Sequence, residues 1–137
     1  VVGMLVNGAL SDRSGERVMH ASIAMFVMTA GFVVCATSHG GVSMVAGLVL
    51  ASIGVNAFLP VFWCVPSVLL SGSAAASGIA LINSIGNLGG FFAPNILGFG
   101  KVATGSYTNG LVTLGILALI AALMMLPIAR IRGIARR

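Results

Sequence analysis

Long apolar blocks separated by short polar breaks set the pattern of this chain. Residues 1–10 are apolar and run into SDRSGER at 11–17, the most polar stretch present. Residues 18–37 form a block of twenty residues, the length at which a helix rising 1.5 Å per residue crosses a hydrocarbon core about 30 Å thick. Ser38-His39-Gly40-Gly41 then makes a turn. Residues 42–70 are too long for one straight span and contain Pro60 and Pro66. Each proline lacks an amide donor and crowds the carbonyl four residues back, so kinks are expected to free the carbonyls of Asn56 and Phe62. After the break Ser71-Gly72-Ser73, residues 74–98 form a further span, 100–109 a small polar loop and 111–127 the last span, ahead of a basic tail. The pattern predicts an all-α membrane protein with one partial span (1–10) and four complete ones (18–37, 42–70, 74–98 and 111–127).

Composition agrees with this reading. The chain has 137 residues, 58% hydrophobic and 7% charged, where a soluble domain carries about 25% charged residues. The net charge is +5, but placement says more than size. Arg13, Arg17, Arg130, Arg132, Arg136 and Arg137 fall on one side of the alternating spans and Lys101 alone on the other. By the positive-inside rule the arginine side, with the carboxyl terminus, faces the cytoplasm. These charges only punctuate apolar runs, which excludes the basic, aromatic-interleaved surface of a nucleic-acid binder. Cys35 and Cys64 lie inside apolar blocks and read as small buried hydrophobes; His20 and His39 stand alone at segment ends, and no metal cluster forms. No cofactor motif is present. With no initiating Met and no basic leader before an opening helix, the chain reads as a piece of a longer protein.

The stretch from Val61 to Gly98 is the one that lipid alone does not explain. It carries Trp63, Pro66, Asn83, Ser84, Asn87 and Pro94 together with many glycines. Polar amides and helix breakers at membrane depth require a protein interior or a water-filled cavity to satisfy them. On a helix, Asn83, Gly86, Asn87, Gly90 and Pro94 share one face, and Leu81, Ile85, Leu88, Phe92 and Ile96 the opposite one. The small, polar face is either a packing seam, in which Gly86-x-x-x-Gly90 admits another helix, or a cavity wall whose amides bind a polar solute. Trp63, on the helix with Pro60 and Pro66, is either a core filler or a donor to such a solute. Asn56 is expected to mend the helix broken at Pro60. Tyr107 stands where an aromatic anchors the outer interface, or is a plain loop residue. In the loop, Asp12 and the arginines either lock a neighbouring helix end or meet solvent and lipid phosphates.

Gly8-Ala9-Leu10-Ser11-Asp12-Arg13-Ser14-Gly15-Glu16-Arg17 resembles the G-x-L-x-D-R-x-G-R-R loop of the major facilitator superfamily, with Glu16 in place of a basic residue. Four spans follow it, so it is similar to the second copy, between the eighth and ninth helices. Phe62-Trp63-x-x-Pro66 with AAASGIALINSIGNLGGF at 74–91 resembles the tenth and eleventh helices of the anion:cation symporter family, and the similarity extends over nearly the whole chain. The resemblance implies a carboxyl-terminal part of a twelve-helix fold, from the end of the eighth helix through the twelfth. Residues 1–137 would then be a partial transporter domain whose missing amino-terminal half carries the proton-binding carboxylates and the substrate-binding arginine. It further implies substrate contacts at Trp63 and Asn83; Asn87, on the same helix face as Asn83, is a candidate for the same role. A gating role falls on Gly8, Asp12, Arg13, Gly15 and Arg17.

The expected function is secondary active transport of a small organic anion, such as a sugar acid, a tartrate-like acid or an aromatic carboxylate. Transport would cross the cytoplasmic (inner) membrane by alternating access coupled to protons or sodium. The other readings are a four-span scaffold, which leaves Trp63 and the loop signature unexplained, and a small multidrug exporter, for which the spans lack an ionisable group. No carboxylate pair, nucleophile with a base, or metal cluster points to an enzyme.

Overall fold

The computed structural model describes residues 2–129; the side chains of Val2, Ser67, Val68, Leu69 and Ala129 lie outside that description, as do residue 1 and the tail holding Arg130, Arg132, Arg136 and Arg137. Five helices follow in order: α1 (Val2–Ser14), α2 (Arg17–Thr37), α3 (Gly41–Leu69), α4 (Gly72–Thr104) and α5 (Thr108–Ala129). There is no strand among the described residues. Four segments are long and apolar enough to cross a membrane: Arg17–Thr37, Gly41–Pro66, Gly72–Thr104 and Thr108–Ile128.

Two breaks are tighter than the polar runs that mark them. α1 continues through Asp12 and Arg13, and the chain turns only at Gly15, whose φ of +69° suits glycine and whose N–H donates to Ser11 O at 2.9 Å. α4 continues through Lys101 to Thr104, beyond the residue 98 at which its apolar run stops. Polar residues do not end a helix where its carbonyls are satisfied. Thr104 Oγ1 donates to Gly100 O at 2.7 Å and Lys101 Nζ to Gly105 O at 2.7 Å, until Gly105, at φ +72°, caps the end.

α2 is the centre of the bundle. It packs most extensively against α3 and then α5, while α1 lies mainly on α3. The α2–α3 seam brings backbone against backbone. A Cβ on Gly31 would strike the Ala51 backbone, and one on Gly47 would lie 2.6 Å from Cys35 Sγ and 2.9 Å from Gly31 O. One on Gly54 would lie 2.7 Å from Ala24 O. Helices in lipid gain little from apolar burial against one another, so association depends on this close van der Waals fit. α5 contributes a stripe of the same kind: Gly110, Leu111, Gly115, Ala118 and Ala122 are its buried residues, and a Cβ on Gly115 would lie 3.3 Å from Phe32 Cβ. Cys35 is buried in the α2–α3 seam with Sγ 3.5 Å from Met44 O, whereas Cys64 is half-buried.

α4 differs from the rest. None of its residues is buried. Its carboxyl-terminal end meets α5, where Gly110 sits against Leu97 and Gly100, and near its amino-terminal end Gly78 lies against Leu70, the residue that caps α3. Between those ends, residues 83–92 are all exposed.

Candidate functional site

The polar face of α4 stands open. Asn83 and Asn87 are exposed, and neither makes a side-chain hydrogen bond among the described residues. A Cβ on Gly86 or Gly90 would meet nothing within 4 Å. The helix passes through Pro94 unbroken, and Asn95 Nδ2 donates to Phe91 O at 2.6 Å. Asn83 lies eleven residues into α4, about 17 Å along its axis, which is near the middle of a hydrocarbon core. An amide at that depth demands a partner from outside this set of helices: water, a solute or another helix.

Trp63 lies six residues before the end of α3, about 9 Å along the axis, so it belongs to the last third of that helix. It is half-buried and stands edge-on to Phe62, with centroids 5.4 Å apart, and Phe62 in turn stacks on Phe58 at 5.0 Å. The α3 helix runs on through both Pro60 and Pro66. Asn56 Nδ2 donates to Ser52 O at 2.8 Å, a carbonyl one turn back that the helix already uses. Its side chain therefore leaves the gap at Pro60 unmended, against expectation. Asn56 and Ser52 instead help line a groove of about 450 Å³ between α3 and the start of α1, with Gly3, Val45, Leu48 and Val49. Trp63 and Asn83 do not share a described contact; α3 and α4 pack against each other far less than α2 and α3 do.

The loop is held at two levels. At its tip, Arg17 pairs with Asp12 at 3.5 Å, with the Asp12 side chain 70% exposed. Ser14 Oγ donates to Ser11 O and accepts from Glu16 N–H, both at 3.3 Å, so the turn around Gly15 is internally bonded. Arg13 is exposed, and a Cβ on the half-buried Gly8 would meet nothing within 4 Å. Beneath the tip, His20 Nδ1 lies 3.1 Å from Asn7 Oδ1, and Asn7 Nδ2 donates to Ala57 O at 2.8 Å. Asn7 and this use of His20 were not legible in the sequence, where His20 stood as a lone interfacial residue; the available signal was that the two flank the loop, just outside its ends.

Between α4 and α5, Lys101 Nζ sits 5.0 Å from the centroid of the exposed Tyr107 ring. Among the described residues, no group of three or more His, Cys, Asp or Glu could hold a metal ion.

These features define a multi-pass membrane protein that exposes polar groups at membrane depth on one helix. Comparison with known proteins gives that class a family. Over 95% of its length the chain is 42% identical to a protein of Agrobacterium vitis named for tartrate transport. It is 35% identical over 92% of its length to the inner membrane transport protein RhmT of Escherichia coli (strain K12), and 32% identical over 90% to a quinolone resistance transporter of Acinetobacter baumannii. The chain belongs to the major facilitator superfamily of transporters, and its all-α fold is that of a part of such a protein. It spans about 29% of the length of these relatives. No family model matches the chain, and no solved structure does.

Proposed function

We propose that this chain is the carboxyl-terminal part of an anion:cation symporter that carries a small organic anion across the inner membrane by alternating access, driven by protons or sodium. The carrying observation is the open face of α4, which holds Asn83 and Asn87 bare at membrane depth on a span with no buried residue. Such amides are retained where they meet a polar solute or the water around it. In this reading Asn83 and Asn87 offer donors and acceptors to hydroxyls or a carboxylate, and Trp63 closes the inner end of the path. Gly8, Asp12, Arg13, Gly15 and Arg17 steady the closed cytoplasmic side. Pro60, Pro66 and Pro94 soften the helices that move. The amino-terminal half supplies the coupling groups, and the arginine side with the carboxyl terminus faces the cytoplasm.

Tartrate leads the substrate class because a relative at 42% identity bears its name. Radiolabelled tartrate uptake into cells expressing the whole gene product, with and without a protonophore or sodium, tests this directly. Uptake that saturates and collapses with one of the two gradients is the expected result; no uptake of tartrate, a sugar acid or an aromatic carboxylate overturns the substrate class.

A second reading rests on Gly86 and Gly90, which are open at the spacing of a helix-packing motif. There the α4 face receives another helix, and the protein need not carry a solute along it. Solvent access decides between the two: a cysteine at position 83 or 87 reacts with a membrane-impermeant thiol reagent if the face lines an aqueous path, and stays protected if a helix covers it.

A further inference from the structure

Three helices meet at one small polar group beneath the loop, and its chemistry fixes which atom carries which hydrogen. Ala57 O can only accept, so the Asn7 amide must turn its NH2 toward it, at 2.8 Å. That leaves Asn7 Oδ1 facing His20 Nδ1 at 3.1 Å, and because this oxygen also only accepts, Nδ1 must carry the hydrogen. A proton gained by His20 therefore goes to Nε2. The bond to Asn7 survives in both charge states and becomes charge-assisted in the cation.

The place of the group in the fold gives it consequences at both ends. Asn7 and His20 flank the SDRSGER turn, so their bond closes the α1–α2 hairpin one level below the Asp12–Arg17 pair. Ala57 is buried on the turn of α3 just before Pro60, where the missing amide of the proline loosens the ladder. Its neighbour Phe58 begins the run of ring contacts through Phe62 to Trp63.

We propose that Asn7 and His20 are positioning residues: a clasp that ties the loop hairpin to α3 at Ala57 and thereby sets where Trp63 stands when the cytoplasmic side is closed. The proposal rests on the transport reading, and its test has an arm that does not. The charged groups around the clasp are Asp12 and Arg13 at the end of α1, and Glu16 and Arg17 at the start of α2. α3 offers no acidic, basic or imidazole side chain. His20 thus holds Asn7 by hydrogen bonding and not as one partner of a buried ion pair.

The experiment uses the whole gene product with its native cysteines replaced by alanine and a cysteine pair at Gly3 and Ile53, which face each other across α1 and α3. Oxidative cross-linking of that pair reads the α1–α3 contact whether or not a substrate is known. His20→Ala and Asn7→Leu are expected to slow cross-linking about fivefold, while His20→Asn, whose side-chain NH2 sits where Nδ1 does, restores the parental rate; His20→Gln, with its amide nitrogen one bond further out, does not. In uptake, the same variants without the cysteine pair should lose turnover about tenfold with KM changed less than twofold, again rescued by Asn at position 20. Unchanged cross-linking in His20→Ala, or a failure of His20→Asn to restore the parental rate, overturns the clasp. Failure of uptake in every protein including the parent overturns the transport reading alone.

Discussion

The α2–α3 seam and the middle of α4 use the same residues to opposite ends. Both carry glycines at helical spacing and both are apolar enough for lipid. In the seam, Gly31, Gly47 and Gly54 leave no room for a single added carbon; on α4, Gly86, Gly89 and Gly90 face open space. A small-residue pattern therefore says that something approaches closely without saying what. Where the chain contains the partner, the glycines are filled by a neighbouring backbone. Where it does not, they mark a face whose occupant comes from elsewhere.

Substitutions at the two sets of glycines break this comparison most sharply. Gly31→Val or Gly54→Leu should cost more than about 3 kcal/mol, because the obstructing atoms are backbone and cannot rotate away. The expected outcome is loss of monodisperse protein on size-exclusion chromatography in detergent. Gly86→Leu, read the same way, should leave the elution profile and melting temperature unchanged for the isolated helices and, in the whole transporter, stop uptake. A Gly86→Leu protein that is as unstable as Gly54→Leu would show that α4 is packed as tightly as the seam.

Smaller effects sharpen the reading of the open face. Asn83→Ala should lower uptake at sub-saturating substrate about tenfold, the equivalent of about 1.4 kcal/mol, with membrane insertion unchanged. Unchanged uptake would remove Asn83 from the site. Asp12→Asn is expected to do least. Its partner lies 3.5 Å away and the carboxylate is largely exposed, so stability should fall by only a few tenths of a kcal/mol, about the size of an exposed pair. Turnover should fall two- to threefold while affinity holds; the reverse pattern would count against a gating role.

Much of the architecture was legible in residue order. Among the described residues, four of the hydropathy blocks fall on helices long and apolar enough to cross a membrane, because in lipid only a helix of sufficient apolar length satisfies its own backbone. Helix ends were less legible. Charged residues such as Asp12 and Lys101 look like loop yet ride on helix, and single glycines at 15 and 105 make the turns. The α2–α3 seam was hidden because its marks, Gly47, Ala51 and Gly54, are small apolar residues in a chain rich in them. The site was half legible. The composition of the α4 face could be read, but its openness is a property of what surrounds it. The clasp was hidden for a different reason: Asn7 and His20 are thirteen positions apart and meet a backbone carbonyl, and a carbonyl leaves no mark in a sequence.

The closeness of the α2–α3 seam also bears on how the protein is made. The two helices are joined by only Ser38, His39 and Gly40, and they present their glycines to each other along the hairpin. As a ribosome feeds the chain into the bilayer, this pair can lock as soon as both helices have emerged, with no later segment required. α4 enters next with bare amides that neither helix of the locked pair covers. α5 joins α4 only near Leu97 and Gly100, so residues 83–92 stay uncovered by these helices after α5 has entered, and until their occupant docks they are the stretch on which a chaperone or quality-control protease has most to hold.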